Sequence, residues 1–324
     1  MSIEITTVII MSKYRTALPQ LNGELFLTDG GLETSLIFHQ GFELPYFAAF
    51  DLLKNGDGRE SLRNYFLPYI EIAKEHGVGF LLDSATWRAS SDWAERLGYT
   101  PAALRDANRK ATALLREIRD QHETENTKLV INGCVGPRGD GYGPDTLMTV
   151  EEAERYHSAQ INTFAGTVAD MISAITMTHA QEAIGVTRAA QAVGMPVVIS
   201  FTVETDGKLP TGQTLKDAIE QVDAATDNGP AYYMINCAHT THFEGALAAG
   251  EQWTTRIRGF RANASRLSHA ELDEALELDD GNPDEFGSQH RDLRTTFTHV
   301  NVFGGCCGTD HRHVEKVCRA ITAH

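Results

Sequence analysis

The chain has 324 residues, of which 28 are Lys or Arg and 44 are Asp or Glu, for a formal charge of −16 with histidine neutral. That balance argues against nucleic acid as a partner, since a phosphate backbone needs a concentrated basic surface. With 42% hydrophobic residues, no apolar run near the roughly 20 residues that cross a bilayer, no basic leader before the first apolar stretch and only five cysteines, it reads as a globular cytoplasmic protein with reduced thiols and no membrane partner.

Along the chain, short β-rich runs alternate with longer stretches of helical period, the pattern of βα units around a parallel sheet. The predicted strands are residues 25–29, 80–83, 129–133, 171–176, 197–203, 232–236 and 300–303. Gly77 and Gly194 close helices just before the next strand, where a left-handed cap suits glycine. The gap before the last run is about twice the preceding spacing, which places an eighth strand at 255–261 despite its arginines. Residues 271–287, acidic and containing Gly and Pro, read as a helix plus an exposed loop. Eight units predict an α/β fold, a single-domain (β/α)8 TIM barrel over residues 1–324, with its site at the C-terminal strand ends. The second choice, an open doubly wound sheet, lacks both Gly-x-Gly-x-x-Gly after the first strand and a Gly-Lys-Ser/Thr loop.

Chemistry concentrates in the cysteines. Cys306 and Cys307 lie in Gly304-Gly305-Cys306-Cys307-Gly308-Thr309 at the end of the last strand, and Cys237 ends the sixth in Asn236-Cys237-Ala238-His239. Neighbouring strand residues point to opposite faces, so both sulfurs of the pair reach one ion only where the backbone turns, which the flanking glycines permit. Three thiolates suit Zn2+ and leave a fourth tetrahedral position open, as catalytic rather than structural zinc sites do. Against this stand a strained redox disulfide and simple burial of small hydrophobes. Cys134 and Cys318 read as core residues, and the pairs His239/His242 and His311/His313 lack the i, i+4 spacing of a helical zinc site. Asp29-Gly30-Gly31, after the first strand, places a carboxylate and backbone N–H groups at the barrel mouth; the plain alternative is a tight turn.

From the Asp-Gly-Gly turn through Asn236-Cys237 to Gly-Gly-Cys-Cys-Gly-Thr, the chain resembles the homocysteine S-methyltransferase family, which includes betaine-homocysteine methyltransferase and the homocysteine domain of methionine synthase. The resemblance implies zinc on Cys237, Cys306 and Cys307 with the acceptor thiol as fourth ligand, ready to attack a methyl carbon and give methionine. It also implies that Asp29 meets the substrate ammonium and that the N–H groups of Gly30 and Gly31 meet its carboxylate. Thr86, after the second strand, is a candidate for lining the pocket or for a structural hydroxyl.

One departure matters. The family carries a Glu at the end of the fourth strand for the ammonium, and Ile175 stands there. Glu204, at the end of the fifth strand, is the replacement by position; otherwise the acceptor is a thiol other than homocysteine, or Glu204 is a loop residue in water. The folate and cobalamin modules of methionine synthase find no span here, which points to a small donor such as S-methylmethionine, S-adenosylmethionine or betaine. Trp87, Trp93, Tyr142 and Phe201 are aromatic faces for such a cation or packing residues. A zinc hydrolase and a non-catalytic zinc-binding or thiol-sensing barrel are the alternative functions.

Overall fold

Eight parallel strands pair in sequence order, and the last closes on the first. They are β1 (Phe26–Leu27), β2 (Gly79–Asp83), β3 (Leu129–Val135), β4 (Met171–Met177), β5 (Val197–Phe201), β6 (Tyr232–Asn236), β7 (Ile257–Ala262) and β8 (Val302–Gly305). Around them run α1 (Gly56–His76), α2 (Pro101–His122), α3 (Val150–Ala165), α4 (Ala180–Ala192), α5 (Leu215–Thr226), the single turn α6 (Thr240–Phe243), α7 (Pro283–Thr296) and α8 (His311–Thr322). The structure is a computed structural model and describes residues 12–143, 147–247 and 249–323. No helix among them is long and apolar enough to cross a membrane.

Local chemistry sets the helix ends. Asn55 accepts from the Gly58 N–H at the start of α1, and Gly77 closes that helix at φ +62°. Thr149 and Glu152 form a capping box at α3, and Thr100 with Pro101 starts α2. The eighth strand expected within the long gap is β7. Arg256 lies just before it and pairs with Asp223 outside the barrel, while Arg261 points into the barrel.

The barrel interior has two layers of different chemistry, because alternate strand residues face inward. Phe26, Leu81, Val130, Val198, Met234 and Val302 fill the lower layer, over a floor that includes Leu18. Two residues further along, the same strands contribute Asp83, Asn132, Ser200 and Asn236, and β7 adds Arg261; all are buried. A second apolar layer lies between sheet and helices and holds Phe80, Ile131, Tyr233 and Phe260. The floor is therefore dry and the mouth polar.

Gly79 shows how tightly the floor is packed. A Cβ there would come within 2.3 Å of the Phe26 ring, which is fully buried. Gly79→Ala should therefore destabilise the barrel by about 1–3 kcal/mol through overpacking. Urea unfolding checks this, and an unchanged midpoint would contradict it.

Candidate metal centre

The three cysteines meet at the mouth. Their sulfurs all lie within 4.8 Å of one another, and Cys237 Sγ is 3.5 Å from Cys307 Sγ. Cys306 and Cys307 open a turn: the Thr309 N–H donates to Cys306 O at 3.1 Å, and Gly308, its third residue, has φ +78°. Positive φ at that position is what a type II turn requires, and the turn brings successive side chains to one side of the chain. Gly305 serves a close approach, since a Cβ there would lie 2.0 Å from Thr309 Oγ1.

Cys237 reaches the cluster from β6 with φ +57°, an unfavourable conformation for a residue with a side chain. Neighbours hold it there. Its N–H donates to Arg261 O at 3.1 Å, and its carbonyl accepts from His269 Nε2 at 2.6 Å and Thr202 Oγ1 at 3.3 Å. Asn236 bridges β4 and β5, accepting from the Thr176 N–H and the Ser200 hydroxyl, and its Nδ2 lies 3.8 Å from Cys306 Sγ. The Tyr142 hydroxyl closes another side, 3.4 Å from Cys237 Sγ and 3.3 Å from Cys307 Sγ. Its ring stacks on His269 with centroids 4.3 Å apart.

The three thiols share their protons unequally. Hydrogen bonds from Cys237 and Cys307 hold Cys306 well below the usual thiol range, and Arg261 assists. Cys237 is pushed up by its contact with Cys306. Cys307 rises too: contact with Cys306 and burial outweigh the opposing bond with Cys237. Three sulfurs are a soft donor set suited to a thiophilic cation. Cys134 and Cys318 are buried elsewhere, and among the described residues no histidine or carboxylate joins the cluster. His313 caps α8 with Asp310, and His239 caps α6.

Beside the sulfurs lies a buried ion network. Arg261 Nη2 meets Asp29 Oδ1 at 2.6 Å, Nη1 pairs with Asp83, and Nε donates to Gly305 O at 3.3 Å. Tyr65 donates to Asp29 Oδ2 at 3.1 Å. Burial pushes the Asp29 carboxyl up to about 8 against the pull of Arg261, with Asp83 adding to the rise. Both Asp29 oxygens are thus engaged within the protein. The Gly31 N–H donates to Thr309 O at 2.9 Å, so this amide, too, has a partner. A Cβ on Gly30 would meet Thr309 O at 2.7 Å.

Thr86 is fully buried, and its hydroxyl donates to Cys134 O at 2.7 Å. Glu204 Oε1 is 3.1 Å from His269 Nδ1. His269 thus lies between this carboxylate and the Cys237 carbonyl. Ile175 is buried at the end of β4, and its carbonyl accepts from Trp87 Nε1 at 3.2 Å. Arg88 lies 4.0 Å from the Trp87 ring and 3.9 Å from that of Trp93, which also carries Arg96 at 4.5 Å. Phe201 is fully buried against Tyr233 and takes no part in the mouth.

Four residues here were missed by sequence reasoning: Arg261, His269, Tyr65 and Glu33. Only Glu33 carried a local signal, as an acidic residue two positions after the Asp-Gly-Gly turn. Burial pushes it up to about 7, its own backbone N–H opposes the rise, and Cys306 adds to it.

Comparison with known proteins agrees with this picture. The family model described as homocysteine S-methyltransferase matches residues 26–321. Methionine synthase of Mycobacterium tuberculosis is 26% identical over 282 residues, which cover 80% of this chain and 21% of that one; the chain spans about a fifth of that relative's length. The homocysteine methyltransferase MmuM from Escherichia coli, in its oxidized form, shares the fold with a TM-score of 0.71 at 20% identity, over 90% of this chain and 94% of that one. Its metallated form gives 0.70 at 18% identity, over 92% and 97%.

Removing the guanidinium would leave the buried carboxyl groups of Asp29 and Asp83 without their shared partner. Arg261→Met should therefore cost about 3–5 kcal/mol at neutral pH. The deficit should shrink as pH falls, because the stranded carboxyls take up protons and the wild-type pairs are lost. Urea unfolding in neutral and acidic buffer checks this; equal stability at neutral pH would contradict it.

Proposed function

Since the chain belongs to the homocysteine S-methyltransferase family, we propose that it transfers a methyl group from a small cationic donor to the thiol of homocysteine, giving methionine, at a zinc ion held by Cys237, Cys306 and Cys307. The observation that carries this reading is the convergence of three sulfurs from two strand ends within 4.8 Å. Tetrahedral bonds of about 2.3 Å set sulfurs about 3.8 Å apart, so the cluster needs only small shifts to accept zinc. A bound zinc ion lowers the pKa of a coordinated thiol, so that the acceptor is a thiolate at neutral pH.

The protein's own groups do the rest. The Tyr142 hydroxyl and the Asn236 amide lie against the sulfurs, and such outer contacts orient ligands and tune the ion they hold. Arg261 supplies positive charge beside Cys306 and offsets the charge that three thiolates accumulate. Asp29, Gly30, Gly31, Thr86 and Glu204 frame the acceptor end of the mouth, Asp29 through its contact with Arg261 and Glu204 through its contact with His269. In the transfer, the acceptor sulfur forms a bond to the methyl carbon while the donor's carbon–sulfur or carbon–nitrogen bond breaks. The bonding pair leaves with the neutral sulfide or amine, and the thiol proton goes to solvent. An acidic mouth favours a sulfonium or quaternary ammonium donor, and S-methylmethionine, S-adenosylmethionine and betaine all fit that description.

Two measurements follow. The purified protein should bind about one zinc per chain, and Cys306→Ser or Cys307→Ser should lose it, an alcohol being a poor ligand at neutral pH; full zinc content in the triple serine variant would refute the assignment. Incubated with homocysteine and each of the three donors, the zinc protein should yield methionine by mass spectrometry with at least one. No methionine with any cationic methyl donor would remove the proposed activity.

A further inference from the structure

The buried and half-buried charges at the mouth can be paired one by one, and one carboxylate remains. Asp29 and Asp83 share Arg261, and Glu204 has His269. Arg88 is held between the faces of Trp87 and Trp93, with Nη1 donating to Gly139 O at 2.9 Å. Glu33 is half-buried, and among the described residues it has no salt bridge and no side-chain hydrogen bond to another residue. It is flanked by Thr34, whose hydroxyl accepts from the Gly308 N–H of the cysteine turn at 3.3 Å.

Its position is fixed by the backbone. Glu33 lies in the short helical turn Leu32–Thr34. That turn is docked onto the cysteine turn by Gly31 N–H to Thr309 O at 2.9 Å and Gly308 N–H to Thr34 Oγ1 at 3.3 Å. A Cβ on Gly31 would lie 2.7 Å from Cys306 O, so the two segments are in direct contact. Placing a carboxylate partly out of water without a cation is costly, and the cost is recovered when a ligand supplies the missing charge.

We infer that Glu33 is the residue that recognises the acceptor's ammonium group, in place of the carboxylate absent at Ile175 and ahead of Asp29 and Glu204. The inference rests on the thiol-acceptor reading above and names the determinant of its head-group specificity. Asp29 is a positioning residue: it holds Arg261, and Arg261 holds the cysteine strand. An acceptor whose sulfur sits at the cysteine cluster then turns its amino end toward the Leu32–Thr34 turn, a few bonds away.

Calorimetric titration of the zinc-loaded protein with L-homocysteine and with the amine-free thiol 4-mercaptobutyrate tests this without turnover. Wild type should prefer homocysteine. Glu33→Gln should weaken homocysteine on the order of 10- to 100-fold, the loss of one charge-assisted hydrogen bond, and leave 4-mercaptobutyrate unchanged or slightly tighter. Zinc content and the circular dichroism spectrum report whether the variant is folded, and Glu33→Asp, which keeps the charge, should retain part of the preference. Should Glu33→Gln keep the full preference while Glu204→Gln loses it, Glu33 is not the determinant. Equal wild-type affinity for the two thiols would also overturn the inference while leaving thiol methylation standing, whereas failure to bind any thiol would remove the acceptor reading on which it rests.

Discussion

A single buried cation, Arg261, joins the strand ends that build the mouth. From β7 it reaches Asp29 after β1, Asp83 at the end of β2, and the carbonyl of Gly305 at the end of β8. Buried ion pairs of this kind contribute little net stability relative to well-packed apolar residues, because desolvation offsets the attraction. Their consequence here is positional. The β1 turn cannot move without breaking the pair, and that turn is docked on the one that carries Cys306 and Cys307. The same guanidinium also favours the thiolate form of Cys306.

The cysteine cluster is thus held together by contacts within the fold. Cys237 is kept at positive φ by bonds from its own amide and to its carbonyl, and the vicinal pair is folded by a turn with glycine at its third position. Strain held by surrounding structure is typical of functional sites, since it reduces the reorganisation required on binding. Tyr142 and His269 extend this support outward to Glu204, so that a loop after β5 and the turn at the start of His269–Asp273 both bear on Cys237.

Much of the fold was legible because it rests on local rules. Alternation and spacing located all eight strands, and β6 carries the expected bounds, Tyr232–Asn236. The differences lie at the ends: β1 is only Phe26–Leu27, although Thr28 and Asp29 still bond to β8 through their backbones, and β8 runs through Gly305 rather than stopping at Phe303. The cysteines were legible because thiol chemistry and glycine punctuation fall in one short motif. Arg261 was not. In sequence it weakens a strand, and its burial makes sense only once Asp29 and Asp83, 232 and 178 residues away, are brought beside it. For the same reason Asp29 reads as an open carboxylate in a turn, although the folded chain has already given it a guanidinium and a tyrosine hydroxyl. Glu204 likewise acquires His269 from a segment 65 residues away, a partner that no local pattern announces.

The central claim is that three thiolates hold one ion and leave a place for the acceptor sulfur. X-ray absorption at the zinc edge reads this most directly. The resting protein should show three sulfur neighbours at about 2.3 Å and one lighter atom, and addition of homocysteine should convert the shell to four sulfurs. A resting shell containing imidazole nitrogen, or one that homocysteine leaves unchanged, would contradict it.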